Sequence, residues 1–266
     1  MKVITTLASC FFLINIAIAI AKPKNLKNHN SLPSGPEVTK SLLKKFSKNY
    51  KNNADLKKLK NEVLKFSGKA VPALIGVMKS KKYPDKSRWL ATFLLGRIVG
   101  QKSVPFIAKF TKHPNWIMRM ASLKTLLALN EKKYAGVYVD SLKDDSFIVR
   151  TQALNNIRKL KLTNLSPHVW AMLYDKRNYY EGNKKGKDNK TKGTNLIKTV
   201  IKTIGDFKFA KAKVPLLKMI NKDKYDNIFA ELDYSLQSIT GKQSPRGPKK
   251  IKKHFWHRIA LSEVTI

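Results

Sequence analysis

The chain has 266 residues, 42% of them apolar, and this excludes a wholly disordered protein because there is enough apolar surface for a sizeable core. It carries 54 Lys and Arg against 17 Asp and Glu, a formal charge of +37, which favours an anionic partner. The alternative explanation of the charge is compositional drift toward lysine. The single cysteine, Cys10, excludes a disulfide framework and a cage of cysteine ligands.

The first 21 residues have the pattern of a secretory signal peptide. Lys2 supplies the charged start, "FFLINIAIAI" the apolar stretch, and Ala19-Ile20-Ala21 the small residues before a cleavage site. We therefore predict a mature chain that begins at Lys22 and an exported protein, periplasmic or extracellular, in contact with the cell envelope. Two alternatives stay open: a retained signal anchor, and lipidation of Cys10 within "LASC".

Residues 22–37 predict a flexible basic leader, because they are rich in Pro, Asn and Lys and have little apolar surface. From Val38 the apolar spacing becomes helical. One face consists of Leu42, Leu43 and Phe46, and a second consists of Leu56, Leu59, Val63, Leu64 and Phe66, followed by Gly68. This pattern predicts a helical hairpin.

The next part of the chain is repetitive. "VPALIGVM" begins at Val71, "VPFIAKF" at Val104 and "VPLLKMI" at Val214, and a proline is well tolerated in the first turn of a helix. The predicted second helices of three pairs begin at Arg88, Arg119 and Arg150, which are 31 residues apart. Each arginine is followed three residues later by a small residue and seven residues later by a large apolar one. The pattern predicts an all-α solenoid of about five to six stacked antiparallel helix pairs over residues 38–242.

These elements resemble the HEAT-like repeat family in its short bacterial form, the type found in phycobilisome lyases. The resemblance rests on the Val-Pro helix starts, the turns in "YPDKSR", "HPNWIMR" and "DDSFIVR", and the Arg-x-x-small pattern. "TNLIKTVIKTIGDFKF" and "LDYSLQSITGK" resemble degenerate later copies. The resemblance implies that the three arginines form a structural ladder by donating to carbonyls or to an acidic turn residue. Asn115 stands where the other turns have Asp85 and Asp145, and this predicts a weaker ladder at Arg119.

Two basic segments interrupt or follow the repeats. Residues 174–194 predict a loop insert that either projects a binding surface with Tyr179 and Tyr180 or is a tolerated excursion. Residues 243–266 predict a helix that caps the stack through Ile251, Phe255, Ile259 and Ala260. The alternative for this end is a basic tract that binds phosphate backbones or anionic lipid, formed by Lys249, Lys250, Lys252, Lys253, Trp256 and Arg258.

No pattern in the sequence predicts a catalytic site. His254 and His257 are one helical turn apart, but lysines surround them and no carboxylate is near in sequence. We therefore predict a protein that is not an enzyme and has neither a metal nor a cofactor. The leading hypothesis is an exported scaffold that binds a protein or an anionic partner through its second helices. The predicted binding residues are Phe93, Lys124, Gln152, Asn155, Lys198 and Lys202.

Three other functions remain as hypotheses. One is a nucleic-acid-binding protein, or an enzyme like the alkylpurine DNA glycosylases built from HEAT-like repeats, in which Trp89, Trp116 and Trp170 would supply aromatic groups. Another is a bilin lyase or related accessory factor, by resemblance of the repeats alone. The last is electrostatic attachment to anionic envelope polymers or lipids, which is compatible with the leading hypothesis.

Overall fold

The computed structural model describes residues 34–181 and 192–264. The predicted signal peptide, most of the leader and the centre of the insert lie outside these described residues. Within them the chain forms thirteen α-helices: α1 Gly35–Phe46, α2 Asn53–Phe66, α3 Val71–Lys79, α4 Asp85–Val99, α5 Val104–Lys109, α6 Trp116–Ala128, α7 Ala135–Leu142, α8 Phe147–Lys159, α9 Ser166–Ala171, α10 Asn195–Asp206, α11 Lys213–Ile220, α12 Phe229–Thr240 and α13 Lys249–Val264.

Helices α1 to α12 form six consecutive pairs, each with an odd-numbered first helix and an even-numbered second helix, and α13 packs on the last pair. The predicted all-α solenoid is confirmed. Short 3₁₀ turns connect the helices, at Ser67–Ala70, Gly100–Ser103, Phe110–Lys112, Thr163–Leu165, Met172–Tyr174, Lys176–Asn178, Ala210–Ala212 and Asp223–Ile228. None of the helices in the described ranges is both long and apolar enough to cross a membrane.

A two-stranded antiparallel ribbon lies in the predicted insert, outside the helix stack. Strand β1 is Tyr180–Glu181 and strand β2 is Lys192–Gly193, with Tyr180 opposite Gly193. The two ends of the insert are thus paired with each other, although the sequence shows no strand pattern.

The helix starts follow the local sequence. Helices α3 and α5 begin at their Val-Pro sequences, because a proline in the first turn loses no intrahelical hydrogen bond. Helix α1 begins at Gly35, three residues before Val38 and inside the segment predicted as leader. A capping box explains this earlier start: the hydroxyl and the backbone N–H of Ser34 both donate to the Glu37 carboxylate.

The core lies between the helix pairs. The small residues three positions after the arginines, Ala91, Ser122 and Ala153, are buried, as are the large ones seven positions after, Leu95, Leu126 and Ile157. Second helices pack closely on the second helices of the next pair, notably α4 on α6, α6 on α8 and α10 on α12. The first helices of these pairs have much less contact with one another. In these two parts of the stack the second helices are therefore the more closely packed side.

Glycine allows this close approach between second helices. A Cβ placed on Gly205 of α10 would lie 2.7 Å from the backbone Cα of Ser235 in α12. The Ser235 hydroxyl donates to the Ile201 carbonyl across the same contact, 2.8 Å away. Because a backbone atom faces Gly205, a side chain at this position would force the two helices apart.

We expect the substitution Gly205→Ala to lower the free energy of unfolding by about 1–3 kcal/mol, because the added methyl group overpacks the contact between α10 and α12. The matched control is Gly136→Ala in α7, where an added Cβ meets nothing within 4 Å. That control should leave the stability unchanged or raise it by less than about 1 kcal/mol, since alanine is the better helix former. Urea unfolding measures both variants, and equal stabilities would contradict the packing described here.

Candidate functional site

Arg150 is a charged residue in the first turn of α8, a helix that also buries Val149, Ala153, Leu154 and Ile157. Its side chain is buried at the start of α8. The guanidinium donates to the carbonyls of Asp144 and Asp145 in its own turn, at 2.7 and 3.0 Å. It also donates to the Arg177 carbonyl at 2.8 Å and to Asn178 Oδ1 at 2.7 Å, in the segment that follows α9. One guanidinium thus connects two successive repeats.

Arg119 makes the same kind of connection with a stronger partner. It donates to both oxygens of the Asp144 carboxylate, from Nε at 2.6 Å and from the guanidinium at 2.7 Å. It donates as well to the carbonyls of His113 and Pro114, each at 2.9 Å. Such bidentate, charge-assisted bonds are the stronger class of hydrogen bond.

The predicted weakness of the ladder at Arg119 is therefore wrong. The acidic partner of this arginine comes from the next repeat's turn, 25 residues later, and not from the turn that precedes it. Asn115 has other roles: its side chain caps α6 by accepting from the Ile117 N–H, and it donates to Asp85 at 3.0 Å. The exchange of Asp for Asn before Arg119 consequently leaves the ladder intact.

Arg88 completes the ladder through a histidine. Its guanidinium donates to the Met78 carbonyl at 3.3 Å and contacts Asp85 at 3.4 Å, and one nitrogen lies 3.1 Å from His113 Nε2. His113 Nδ1 accepts from the Asn115 N–H at 3.0 Å. Burial and the Arg88 charge lower the pKa of His113. A neutral imidazole has one acceptor nitrogen and can accept from only one of these two donors, whereas a protonated ring could accept from neither.

The predicted binding residues divide into two groups. Phe93, Lys124, Asn155 and Lys198 are half-buried and Lys202 is exposed, all on second helices. Gln152 is buried and donates to Asn156 Oδ1 at 2.8 Å. Asn156 in turn donates to the Leu123 carbonyl at 2.7 Å. The assignment of Gln152 to the binding face is wrong, because this side chain belongs to the polar contact between α6 and α8.

Three lysines on this side of the stack each lie over an aromatic ring of an adjacent second helix. Lys60 Nζ is 6.0 Å from the centre of the Phe93 ring. Lys124 Nζ is 5.5 Å from the Trp89 ring, and Lys202 Nζ is 5.3 Å from the Tyr234 ring. These distances are within the range of cation–π attraction. Sequence analysis missed Lys60 and Tyr234, and it placed Trp89 only in the glycosylase hypothesis.

We call this surface the second-helix face. It combines cationic, aromatic and amide side chains on α2, α4, α6, α8, α10 and α12: Lys60, Trp89, Phe93, Lys124, Asn155, Lys198, Lys202 and Tyr234.

The basic C-terminal tract is mostly engaged in capping the stack. Trp256 is fully buried and its indole N–H donates to Asp233 Oδ1 at 2.8 Å. Lys252 donates to the other oxygen of Asp233 at 2.7 Å. Burial alone would raise the pKa of Asp233, but the hydrogen bonds from Lys252 and Trp256 outweigh it and lower the pKa. Lys253 pairs with Asp223 and Asp226 at 2.6 and 2.8 Å.

The capping helix is present but differs from the predicted one in its contacts. Trp256, which was assigned to a binding tract, is its central buried residue, whereas Ile251 is 49% exposed. Lys249 pairs with Asp226 at 3.1 Å, so of the tract Lys250 and Arg258 remain exposed without an ion pair among the described residues. Most of this tract is therefore structural.

The remaining predicted groups lie on separate elements of the fold. Trp89, Trp116 and Trp170 lie in α4, α6 and α9. No three of the His, Cys, Asp and Glu side chains in the described ranges are grouped so as to hold a metal ion. In the insert, the Tyr179 hydroxyl donates to the Leu173 carbonyl at 3.0 Å, which binds this tyrosine to the fold. The side chain of Tyr180 lies outside the described residues.

The environment of His113 predicts a pH-dependent stability. Its pKa is lower in the folded chain than in the unfolded one, so the unfolded state binds more protons as the pH falls through about 6.5, and stability decreases there. Arg88, Arg119 and Lys81 all oppose protonation. We expect His113→Asn, which keeps an acceptor for the Asn115 N–H, to lose less stability between about pH 7 and pH 5 than the natural chain.

Urea unfolding at several pH values measures this difference. His168→Asn is the control, because His168 is exposed on α9 and lies outside the ladder. The control should follow the natural chain. If His113→Asn shows the same pH dependence as the natural chain, His113 does not contribute as described.

The chain is similar to known proteins in structure but not in sequence. No protein-family model matches the chain, and no curated protein matches it in sequence. Seven chains of solved structures match. Among them is the complex of CpcE and CpcF of phycocyanin lyase from Nostoc sp. PCC7120, with 13% identity and a TM-score of 0.38 over 90% of this chain and 99% of that chain.

This match contradicts the prediction that the protein is not an enzyme, because the matched complex is a lyase. We withdraw that prediction. At this level of identity and structural similarity, the lyase's reaction is not transferred to this chain.

Proposed function

We propose that the protein is an exported scaffold that holds a partner protein against its second-helix face. The observation that carries the proposal is the set of three lysine–aromatic contacts on that face, at Lys60, Lys124 and Lys202. Aromatic and cationic side chains together are typical of residues that contribute strongly to protein interfaces. A stack of helix pairs also offers an extended surface to one partner.

The charges of the two regions favour the second-helix face over the C-terminal tract as the binding surface. Lys249, Lys252 and Lys253 are already paired with Asp223, Asp226 and Asp233. On the second-helix face, burial and the charge of Lys159 lower the pKa of Lys124. An anionic group of a partner would relieve this repulsion. At the C-terminal end the gain would be smaller, because the lysines there already pair with aspartates.

Export is part of the proposal and rests on the sequence of the first 21 residues. Lys2, the apolar stretch and Ala19-Ile20-Ala21 support it. Attachment to an anionic envelope polymer or lipid remains a prediction that the exposed lysines of the chain support. It is compatible with a protein partner on the second-helix face.

Affinity capture tests the proposal. The chain from Lys22 onward is immobilised and exposed, at physiological salt, to an extract of the producing cells that includes the envelope. The double substitution Lys124→Glu and Lys202→Glu should abolish the capture of the partner, because it reverses two charges on the face. The matched control is Lys211→Glu with Lys218→Glu, an equal change of charge at exposed positions in the turn before α11 and in α11 itself.

The control should capture the same proteins as the natural chain. If both double variants lose the partner equally, the charge acts as a diffuse field and the face is not the binding surface. Unchanged capture by the Lys124 and Lys202 variant would contradict the proposal directly.

A further inference from the structure

The outward side of α13 differs from what a capping helix needs. The last element of a repeat array keeps the array soluble by presenting a polar outer side. Five large apolar side chains are exposed among the described residues, and two of them, Ile251 at 49% and Leu261 at 56%, belong to this one helix. They are ten residues apart, or about 15 Å along the helix axis. An apolar group is thus exposed near each end of the last helix.

Basic side chains share the same side of α13 with these two apolar residues. The exposed residues after Lys249 recur three, four, seven and eight positions apart, and this spacing places them on one side of a helix. We call this set the outer face of α13: Lys250, Ile251, His254, His257, Arg258, Leu261 and Ser262. No acidic residue is among these described side chains. The buried residues Trp256 and Ile259 lie on the opposite side, against the stack.

The cations of the outer face differ from the other cations of α13 in having no acidic partner. The three remaining lysines of this helix already pair with aspartates. Within the described ranges, Lys250 and Arg258 form no ion pair. Arg246, in the loop before the helix, is also exposed and forms none.

The loop before α13 lies against the start of the outer face. A Cβ placed on Gly247 would lie 3.4 Å from Ile251 Cδ1, and the φ of this residue is +131°, which favours glycine. Arg246 immediately precedes this glycine. The loop therefore brings a third unpaired cation close to the exposed Ile251.

We propose that the outer face of α13 binds the surface of an anionic lipid bilayer, with the helix parallel to the membrane plane. This goes beyond the proposed function, because it assigns a second contact on a helix that is not part of the second-helix face. Lys250 and Arg258 contact lipid phosphates, while Ile251 and Leu261 enter the boundary between headgroups and acyl chains. Interfacial helices bind through this combination of apolar area and attraction to anionic lipids.

The side chains of the outer face fit a lipid surface better than a nucleic acid. Proteins that bind single strands stack the bases on accessible aromatic rings. The rings of α13 are not available for this, because Trp256 is fully buried and Phe255 is half-buried against it, with ring centres 4.8 Å apart. The exposed apolar groups are aliphatic, and such groups gain free energy when they leave water for hydrocarbon.

Vesicle sedimentation at physiological salt tests the inference on the chain from Lys22 onward. Phosphatidylcholine vesicles with about a third of phosphatidylglycerol are compared with vesicles of phosphatidylcholine alone. We expect binding to the anionic vesicles only. Lys250→Gln with Arg258→Gln should lower the partition coefficient about thirtyfold, because two cations near the anionic surface are lost.

The matched control for charge is Lys40→Gln with Lys44→Gln. It removes the same charge from exposed positions of α1, at the other end of the stack, and should leave the partition coefficient unchanged.

A second variant separates lipid from other anions. Ile251→Ser with Leu261→Ser keeps every charge, and it should weaken binding to the anionic vesicles about tenfold because less apolar area enters the lipid. Its affinity for a single-stranded oligonucleotide should equal that of the natural chain. Both residues are exposed, so the variant should fold, and far-UV circular dichroism checks this.

Equal binding to both kinds of vesicle, or binding to neither, would overturn the inference. Equal weakening by the two charge variants would overturn it as well, since net charge and not this face would then be responsible. Vesicle binding that the serine substitutions do not change would overturn it in favour of a nucleic acid or another soluble polyanion.

The inference and the proposed function can fail separately. If the vesicles do not bind but capture of the partner still depends on Lys124 and Lys202, only the inference fails. If the vesicles bind as expected but capture does not depend on these lysines, only the proposed function fails.

Discussion

Each guanidinium of the ladder contacts groups of its own repeat and also a side chain of the next repeat. Arg119 does this through the carboxylate of Asp144, Arg150 through the amide of Asn178, and Arg88 through the ring of His113. A buried guanidinium needs several acceptors. Carbonyls of the preceding turn supply two of the four hydrogen bonds of Arg119 and two of the four of Arg150, whereas Arg88 contacts the Met78 carbonyl, Asp85 and His113. The angle between successive pairs is therefore fixed by polar contacts on one edge and by close apolar packing of the second helices.

This constraint determines which side chains the second-helix face presents. When the second helices are held close, lysines of one helix come over aromatic rings of a neighbouring second helix. The opposite arrangement holds at the C-terminal end, where Asp233 accepts from both Trp256 and Lys252. A chain of formal charge +37 thus uses several of its few acids for the ladder and the cap.

The periodic features were predictable from the sequence, since Val-Pro helix starts and arginines 31 residues apart report local structure. Contacts between repeats were not. The acid that serves Arg119 belongs to the next turn, and Gln152 is buried and donates to Asn156 of its own helix, which in turn donates to the neighbouring helix. Trp256 was predicted to belong to a binding tract, because the sequence does not show that its partner is Asp233, 23 residues earlier. These contacts depend on how successive repeats are placed on one another. The spacing of residues within a single helix does not report that placement.

The most direct test of the account is a double-mutant cycle between Arg119 and Asp144, with the free energy of unfolding measured for Arg119→Ala, Asp144→Ala and the double variant. Both side chains are largely buried, 15% and 10% exposed, and the pair is bidentate. If this contact joins consecutive repeats as described, the two residues should show a coupling energy of about 1–3 kcal/mol. Effects that simply add, within about 0.5 kcal/mol, would show that the ladder does not hold the repeats together.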